Sequence, residues 1–427
     1  MKIVIVSNSP WRNDNSFGNS FSNIFDGIEE VEIVNIYCKF GQPNNGFVKR
    51  YFQITEASLL KNLKDCRIPS GREIFPDMKY DSESLPVITT VQFYRKHKWQ
   101  LLIWARALIW KVGRWKSPEL IRFLDDFQPD LLFIPVYYSH YLHDINRFIL
   151  RRYQIPAVGY VSDDVYTMRQ FSLSPLYWID RLLMRRTIAW IFRACKTVYT
   201  ISEFQRQEYA AIFGDKFRIL TKCGDFSDAN RPPQKKPSLP LRLLYTGNLG
   251  SGRADTLALL AKVVAMLNQD GTVVQLDIYS ASPLKKKQRA SLEIPGACSL
   301  HEAVSFAEVI RLQQEADVLV HAESFRWRDR LLVHQSFSTK IVDYLSRYRC
   351  ILAIGKEDCA SIAYFLHNNA GVVAQTPSSI LLVLNDLLGD SEKLTEYAQN
   401  AWSAGQTYHS RADMQKQLLA TLRDACK

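Results

Sequence analysis

The 427-residue sequence predicts two α/β domains in tandem, each built on a doubly wound parallel sheet. Three observations carry this reading. Short aliphatic runs alternate with helical stretches through the first half, a proline-rich stretch interrupts them, and the same alternation resumes behind it. Between Asp228 and Pro240, four of thirteen residues are proline, which removes backbone donors and excludes both helix and central strand. The predicted organisation is an N-terminal domain over 1–227, a linker over 228–240, a C-terminal domain over 241–390 and a helical tail over 391–427. The N-terminal domain is the surface on which that tail would pack back.

Strands are expected at 2–7, 31–37, 130–136, 156–161 and 197–202, with helices at 18–28, 118–127, 140–151 and 175–194. The stretch from 40 to 95 shows weak periodicity and reads as irregular or inserted. Behind the linker, strands are expected at 241–246, 273–279, 317–320, 350–354 and 371–374. Helices fall at 253–268, 306–315, 338–347, 358–367 and 377–388, and the tail is helical in propensity. Two Rossmann-like domains facing a cleft follow, with ligands beyond the carboxyl ends of the strands.

Eight scattered cysteines without a Cys-x-x-Cys pair argue against a zinc site or disulfide framework and suit a reducing cytosol. The opening Met1–Val6 run is a strand, too short for the apolar region of a secretory signal. Net charge is +11, and eight Lys or Arg against Glu119 alone fall between Arg95 and Arg122. Phe93, Trp99, Trp104, Trp110 and Trp115 interleave with them. Basic residues mixed with tryptophan suit an anionic lipid surface, so the segment 95–122 is read as a membrane contact. Buried tryptophans among solvated charges are the plain alternative. No nucleic-acid motif accompanies the patch, and the apolar stretch 99–112 is too short to span a bilayer.

Two segments carry candidate chemistry. Gly247-Asn248-Leu249-Gly250-Ser251-Gly252-Arg253 follows a strand and opens a helix, so its backbone can approach a phosphate, with Arg253 as a planar cation. An ordinary strand-to-helix turn is the alternative. In the second, Gln335-Ser336-Phe337-Ser338-Thr339 leads into Lys340 and Asp343. Lys340 in a first helical turn is unfavourable unless an anion sits there, and Asp343 lies one turn on, able to accept from vicinal ribose hydroxyls. A Lys340–Asp343 surface pair, capped by Ser338 or Thr339, is the competing account.

These segments resemble the retaining family 4 glycosyltransferases of the GT-B architecture. There a Glu-Gly-Phe-Gly stretch precedes a helix, with a second glutamate eight residues after the first. Gln335-Ser336-Phe337-Ser338 and Asp343 resemble that motif at the same interval. Tyr245 to Gly250, Ser305 to Glu308, Ala316 to Val318, Thr200 to Glu203, Phe213-Gly214 and Lys222 to Asp225 resemble further stretches of the family in the expected order. The resemblance implies that Asp343 holds a nucleotide ribose, and that Gly247, Asn248, Arg253, Lys340 and the amides of Ser336, Phe337, Ser338 and Thr339 hold a diphosphate. It places the base near Ala303 and Val304. It implies no cofactor and no metal, with a nucleotide-diphosphate sugar as co-substrate.

Two departures stand out. Gln335 replaces the first glutamate, which in the family meets the donor sugar or the reaction centre, and is a catalytic candidate in that place, with Glu323 as a candidate substitute. Asp163, in Val161-Ser162-Asp163-Asp164, stands where the family has a histidine, either as a catalytic or sugar-holding acid or as a helix cap. The loop after the first strand supplies acceptor candidates in Trp11, Asp14 and Phe17. The expectation is a cytoplasmic glycosyltransferase, peripheral on the inner face of the cell membrane, serving bacterial cell-surface polysaccharide or glycolipid assembly on a carbohydrate or lipid-linked acceptor. A catalytically degenerate nucleotide-binding subunit and a sugar-nucleotide epimerase are the alternatives. The lack of Gly-x-Gly-x-x-Gly after a strand argues against a dehydrogenase.

Overall fold

The computed structural model describes residues 1–75 and 100–427, so Phe93, Arg95, Lys96, Lys98 and Trp99 lie outside the described residues. Two sheets organise the chain. The first runs β4-β3-β2-β1-β5-β6-β7-β8, from β1 (Lys2–Ser7), β2 (Glu32–Tyr37), β3 (Arg50–Ile54), β4 (Gly71–Ile74), β5 (Leu131–Pro135), β6 (Ala157–Val161), β7 (Thr197–Thr200) and β8 (Phe217–Ile219). All its pairings are parallel except β3 with β4. The second sheet is parallel throughout and runs β11-β10-β9-β12-β13-β14. Its strands are β9 (Leu241–Thr246), β10 (Val274–Tyr279), β11 (Cys298–His301), β12 (Val318–Ala322), β13 (Cys350–Ile354) and β14 (Val372–Ala374).

The central strands are near-continuous apolar runs because helices cover both faces of each sheet. Every residue of β5, β6, β12 and β13 is buried. Helix starts are fixed locally. Ser117 and Ser174 accept amide protons from Leu120 and Tyr177, each with proline next as the first helical residue.

The sequence reading requires corrections. The stretch 40–95 is not irregular where it is described: it holds β3, the helix Glu56–Lys64 and the edge strand β4. Short elements without clear periodicity escape sequence reading, as do β8, β11 and the helices Glu203–Phe213, Lys286–Leu292 and Trp327–Val333. The tail divides at Ser410. The helix Ser391–His409 packs on β13, and the helix Arg411–Cys426 returns to the first domain, where Leu418 and Leu422 join Ile3 and Phe25 in its core.

Candidate functional site

In the second sheet the chain order reverses between β9 and β12, so the loops after these strands open the crevice. Both glycine-dependent features of the first loop lie there. Gly252 has φ 76°, and a Cβ on it would come within 2.3 Å of Ser324 Oγ and Asp329 Oδ2, so only glycine lets residues 324–329 close on the loop. Gly247 has φ 139°, and Lys340 crosses it so closely that a Cβ would lie 2.3 Å from Nζ.

Lys340 Nζ donates to the Thr246 carbonyl at 3.0 Å and sits 4.6 Å from the centre of the Tyr245 ring. Burial lowers its pKa to about 8, and the nearby Arg253 charge acts in the same direction. Arg253 donates to the Ala322 carbonyl at 3.2 Å and to Glu323 at 3.0 Å. Two cations therefore converge on the crevice, Arg253 tied to the carboxylate of Glu323 and Lys340 bonded to a backbone carbonyl, with Asp343 near Lys340.

That carboxylate, Glu323, is 2 % exposed. Burial raises its pKa, but the opposing pull of His321 and Arg253 wins and holds it at about 2. Glu323 lies beneath Arg253 and orients it. This corrects the expectation that Glu323 reaches a reaction centre in place of the missing glutamate, because no face of it is open to a sugar.

The second segment is rearranged relative to the sequence reading. Helix Lys340–Leu345 is shorter than the expected 338–347, and Thr339 makes no side-chain cap. The Ser336 amide is spent on the Val333 carbonyl, and the Phe337 ring is buried, stacked on His409 at 5.7 Å. Ser338 accepts the Ile341 amide through its carbonyl. Asp343 pairs with Lys222 of the N-terminal domain at 2.5 Å. Ala303 and Val304 are exposed just beyond β11, beside a Tyr279–His301 stack at 4.4 Å. Asn248 is exposed and its side chain accepts from the Gly250 amide at 2.5 Å.

Gln335 is 1 % exposed and belongs to a contact between the domains. Its Nε2 donates to Glu208, its Oε1 accepts from Gln205, and its carbonyl accepts from Ser202 Oγ at 2.6 Å. His334 and Arg169 meet the same Glu208 carboxylate, at 2.9 and 2.5 Å. The expectation that Gln335 stands at the donor sugar is thereby corrected. Its side chain is consumed in docking one domain on the other. Sequence reading missed Glu208, Gln205 and His334 and the pairing of Lys222 with Asp343, since partners more than a hundred residues apart leave no local pattern.

Asp163 follows β6, and its carbonyl accepts from Gln205, which places it beside this contact. The residue is exposed, and partial desolvation of its carboxylate, together with the Asp164 charge, raises its pKa. Asp164 has a structural role. It caps the turn through the Tyr166 and Thr167 amides and pairs with the buried Arg181 at 3.0 Å.

The acceptor loop is corrected in part. Trp11 is fully buried, donates to Ser22 Oγ at 2.9 Å and packs edge-on against Phe17, itself 9 % exposed. Neither ring offers a stacking face. Asp14 is exposed and paired with Arg12 at 2.5 Å. His143 is buried with its pKa lowered to about 4 by desolvation, and bonds the Tyr137 carbonyl, which makes it structural.

Two tryptophans of the basic segment, Trp110 and Trp115, are corrected as lipid anchors. Trp110 and Trp115 are buried, Trp110 donates to Glu56 and stacks on Tyr141 at 4.3 Å, and Trp104 donates to Asp180. Arg106 is paired with Glu56. Among the described residues no helix is long and apolar enough to cross a membrane, and no group of three or more His, Cys, Asp or Glu is placed to hold a metal ion.

No family model matches the chain, and no curated protein does. Solved structures do. The chain is similar to Anabaena Alr3699/HepE in complex with UDP, with 12 % identity and a TM-score of 0.63 over 99 % of this chain and 100 % of that one. It is similar to the sucrose-phosphate synthase of Thermosynechococcus elongatus, at 10 % identity, TM-score 0.60 and coverage of 99 % and 98 %. It is also similar to WaaG, a glycosyltransferase involved in lipopolysaccharide biosynthesis, at 12 % identity, TM-score 0.56 and coverage of 97 % and 98 %. With two parallel-sheet domains, these similarities establish the GT-B fold.

Proposed function

We propose that the chain is a glycosyltransferase that takes a sugar from a nucleotide-diphosphate sugar and passes it to a carbohydrate or lipid-linked acceptor. The observation that carries this reading is the convergence of Lys340 and Arg253 on the β9–β12 crevice, one turn from Asp343. HepE, on the same fold, is solved with UDP and with UDP-glucose, which supports a nucleotide sugar as the ligand of that crevice.

In this reading the diphosphate rests on Lys340, Arg253 and the Gly247–Gly252 backbone. As the bond to the sugar breaks, charge grows on the departing diphosphate, and two fixed cations in a partly desolvated crevice stabilise it without reorganisation. The transfer is metal-independent on that account. Asp343 takes the ribose hydroxyls, sharing or displacing Lys222. Asp163, exposed just after β6 and with its proton affinity raised, holds hydroxyls of the acceptor or the sugar by hydrogen bonds. The family resemblance supports retention of configuration. The protein then works in the cytoplasm at the inner membrane face, in cell-surface polysaccharide or glycolipid assembly.

A second reading, a nucleotide-binding subunit without turnover, is favoured by the use of Gln335 for domain docking. The test is thermal unfolding with UDP, GDP, ADP, dTDP and CMP, followed by donor turnover with the nucleotide that binds. A ligand at a hundred times its Kd adds about 2.7 kcal/mol of stability. A selective shift with sugar transfer supports the enzyme, a shift without turnover selects the second reading, and no shift from any nucleotide removes both.

A further inference from the structure

On the flank of the N-terminal domain a groove of ≈ 1020 Å³ opens between the end of the helix Gln100–Val112 and the helix His140–Tyr153. Six cations line it, Lys111, Arg114, Lys116, Arg147, Arg151 and Arg152, against the single acid Asp144. Arg147 reaches Asp144 only at 3.4 Å, and Arg152 reaches Asp125 at 3.5 Å. Lys111, Arg114 and Arg151 have no ion pair among the described residues. Arg151 and Arg152 complement the carboxyl end of their own helix. That does not explain three further cations brought opposite them from a different segment.

One aromatic contact joins the walls, and a lysine lies over both of its rings. Trp115 meets Phe148 edge-on at 5.6 Å, and Lys116 Nζ lies 5.3 Å from the Trp115 ring and 5.6 Å from Phe148. The groove is thus a held arrangement of like charges, unfavourable in itself and relieved by an anion. Guanidinium groups match phosphate oxygens in pairs. Beside it, Leu108 and Val112 on the helix Gln100–Val112 are 58 % and 54 % exposed and one turn apart, aliphatic side chains left in water next to the cations.

We infer that this groove seats the phosphodiester headgroups of an anionic lipid surface, while Leu108 and Val112 enter the boundary between headgroups and acyl chains. The inference deepens the membrane reading above and rests on it. It moves the contact from Trp110 and Trp115, which line the groove as buried rings, to cations of two segments, half of them outside 95–122.

The test uses the whole chain with vesicles of phosphatidylcholine, alone and mixed with phosphatidylglycerol. Wild type should sediment with the mixed vesicles only. Arg114→Gln/Arg147→Gln/Arg151→Gln should lose on the order of a hundredfold in vesicle affinity, from three charges near an anionic surface. Lys111→Gln/Arg114→Gln should lose part of it, and both variants should keep the wild-type response to UDP. Undiminished binding by the triple variant overturns the groove while leaving a membrane contact elsewhere. Absence of wild-type binding to mixed vesicles overturns the membrane reading and this inference together. If sn-glycerol 3-phosphate stabilises wild type but not the triple variant, and mixed vesicles do not bind, the ligand is a soluble phosphate and the lipid assignment falls. The nucleotide response reports separately on the donor site.

Discussion

The side-chain amide of Gln335 donates to the carboxylate of Glu208 across the domain boundary at 2.5 Å. Burial favours the neutral acid at Glu208, but His334, Gln335 and Arg169 outweigh it and lower its pKa, so the amide meets a carboxylate. A glutamate at 335 would set two carboxylates against each other in a largely buried contact. Placing at 335 the acid of the family motif it resembles should therefore harm this chain.

Gln335→Glu is expected to cost about 1.5–3 kcal/mol of stability, the range for a lost hydrogen bond to a charged group. Adding Glu208→Gln should recover much of it, because the amide and the carboxylate then exchange places. Denaturant unfolding of both single variants and the double measures the coupling. Strictly additive losses would show that the two side chains do not act as a pair.

Asp343 makes the second prediction. Its Oδ1 is held by Lys222, and the carboxylate is partly open. Asp343→Ala should weaken UDP binding roughly tenfold or more, the loss expected from hydrogen bonds to a charged acceptor. Titration calorimetry reads this directly. A Kd within error of wild type would assign Asp343 to domain docking alone.

What was legible in the sequence depended on the range of the pattern. Parallel strands buried on both faces leave aliphatic runs that any reading finds, as at Leu131–Pro135 and Cys350–Ile354. Lys340 in a first helical turn is a local anomaly, which is why the sequence alone singles it out. Glu323 and Trp11 show the limit. A carboxylate or an indole has the same letter whether it faces a cleft or supports it from below. Glu323 is placed by Arg253, seventy residues away, and Trp11 by the packing of Phe17, Phe21 and Phe47 around it. The Gln335–Glu208 contact spans 127 residues and two domains, beyond any periodicity.

Trp11 gives the third prediction. Its ring is enclosed by three phenylalanines and its N–H is satisfied by Ser22. Trp11→Ala should destabilise the N-terminal domain by about 3–5 kcal/mol, as large-to-small core substitutions do. UDP affinity of the folded fraction should not change. A variant with wild-type stability would put the ring back among surface residues.

The fourth prediction concerns pH. Lys340 in the empty protein has its pKa lowered to about 8, chiefly by burial. Its charged form is needed to hold a diphosphate, and a bound anion raises the pKa again, so binding takes up a proton above that point. UDP affinity should be level below pH 8 and fall as pH rises beyond it, by at most about tenfold per unit. Lys340→Arg keeps its charge throughout and should abolish the fall even if it binds less tightly overall. Calorimetric titrations from pH 6.5 to 9.5 on both proteins decide the matter. A decline of equal slope in wild type and Lys340→Arg would trace the proton to another group and remove Lys340 from the diphosphate site.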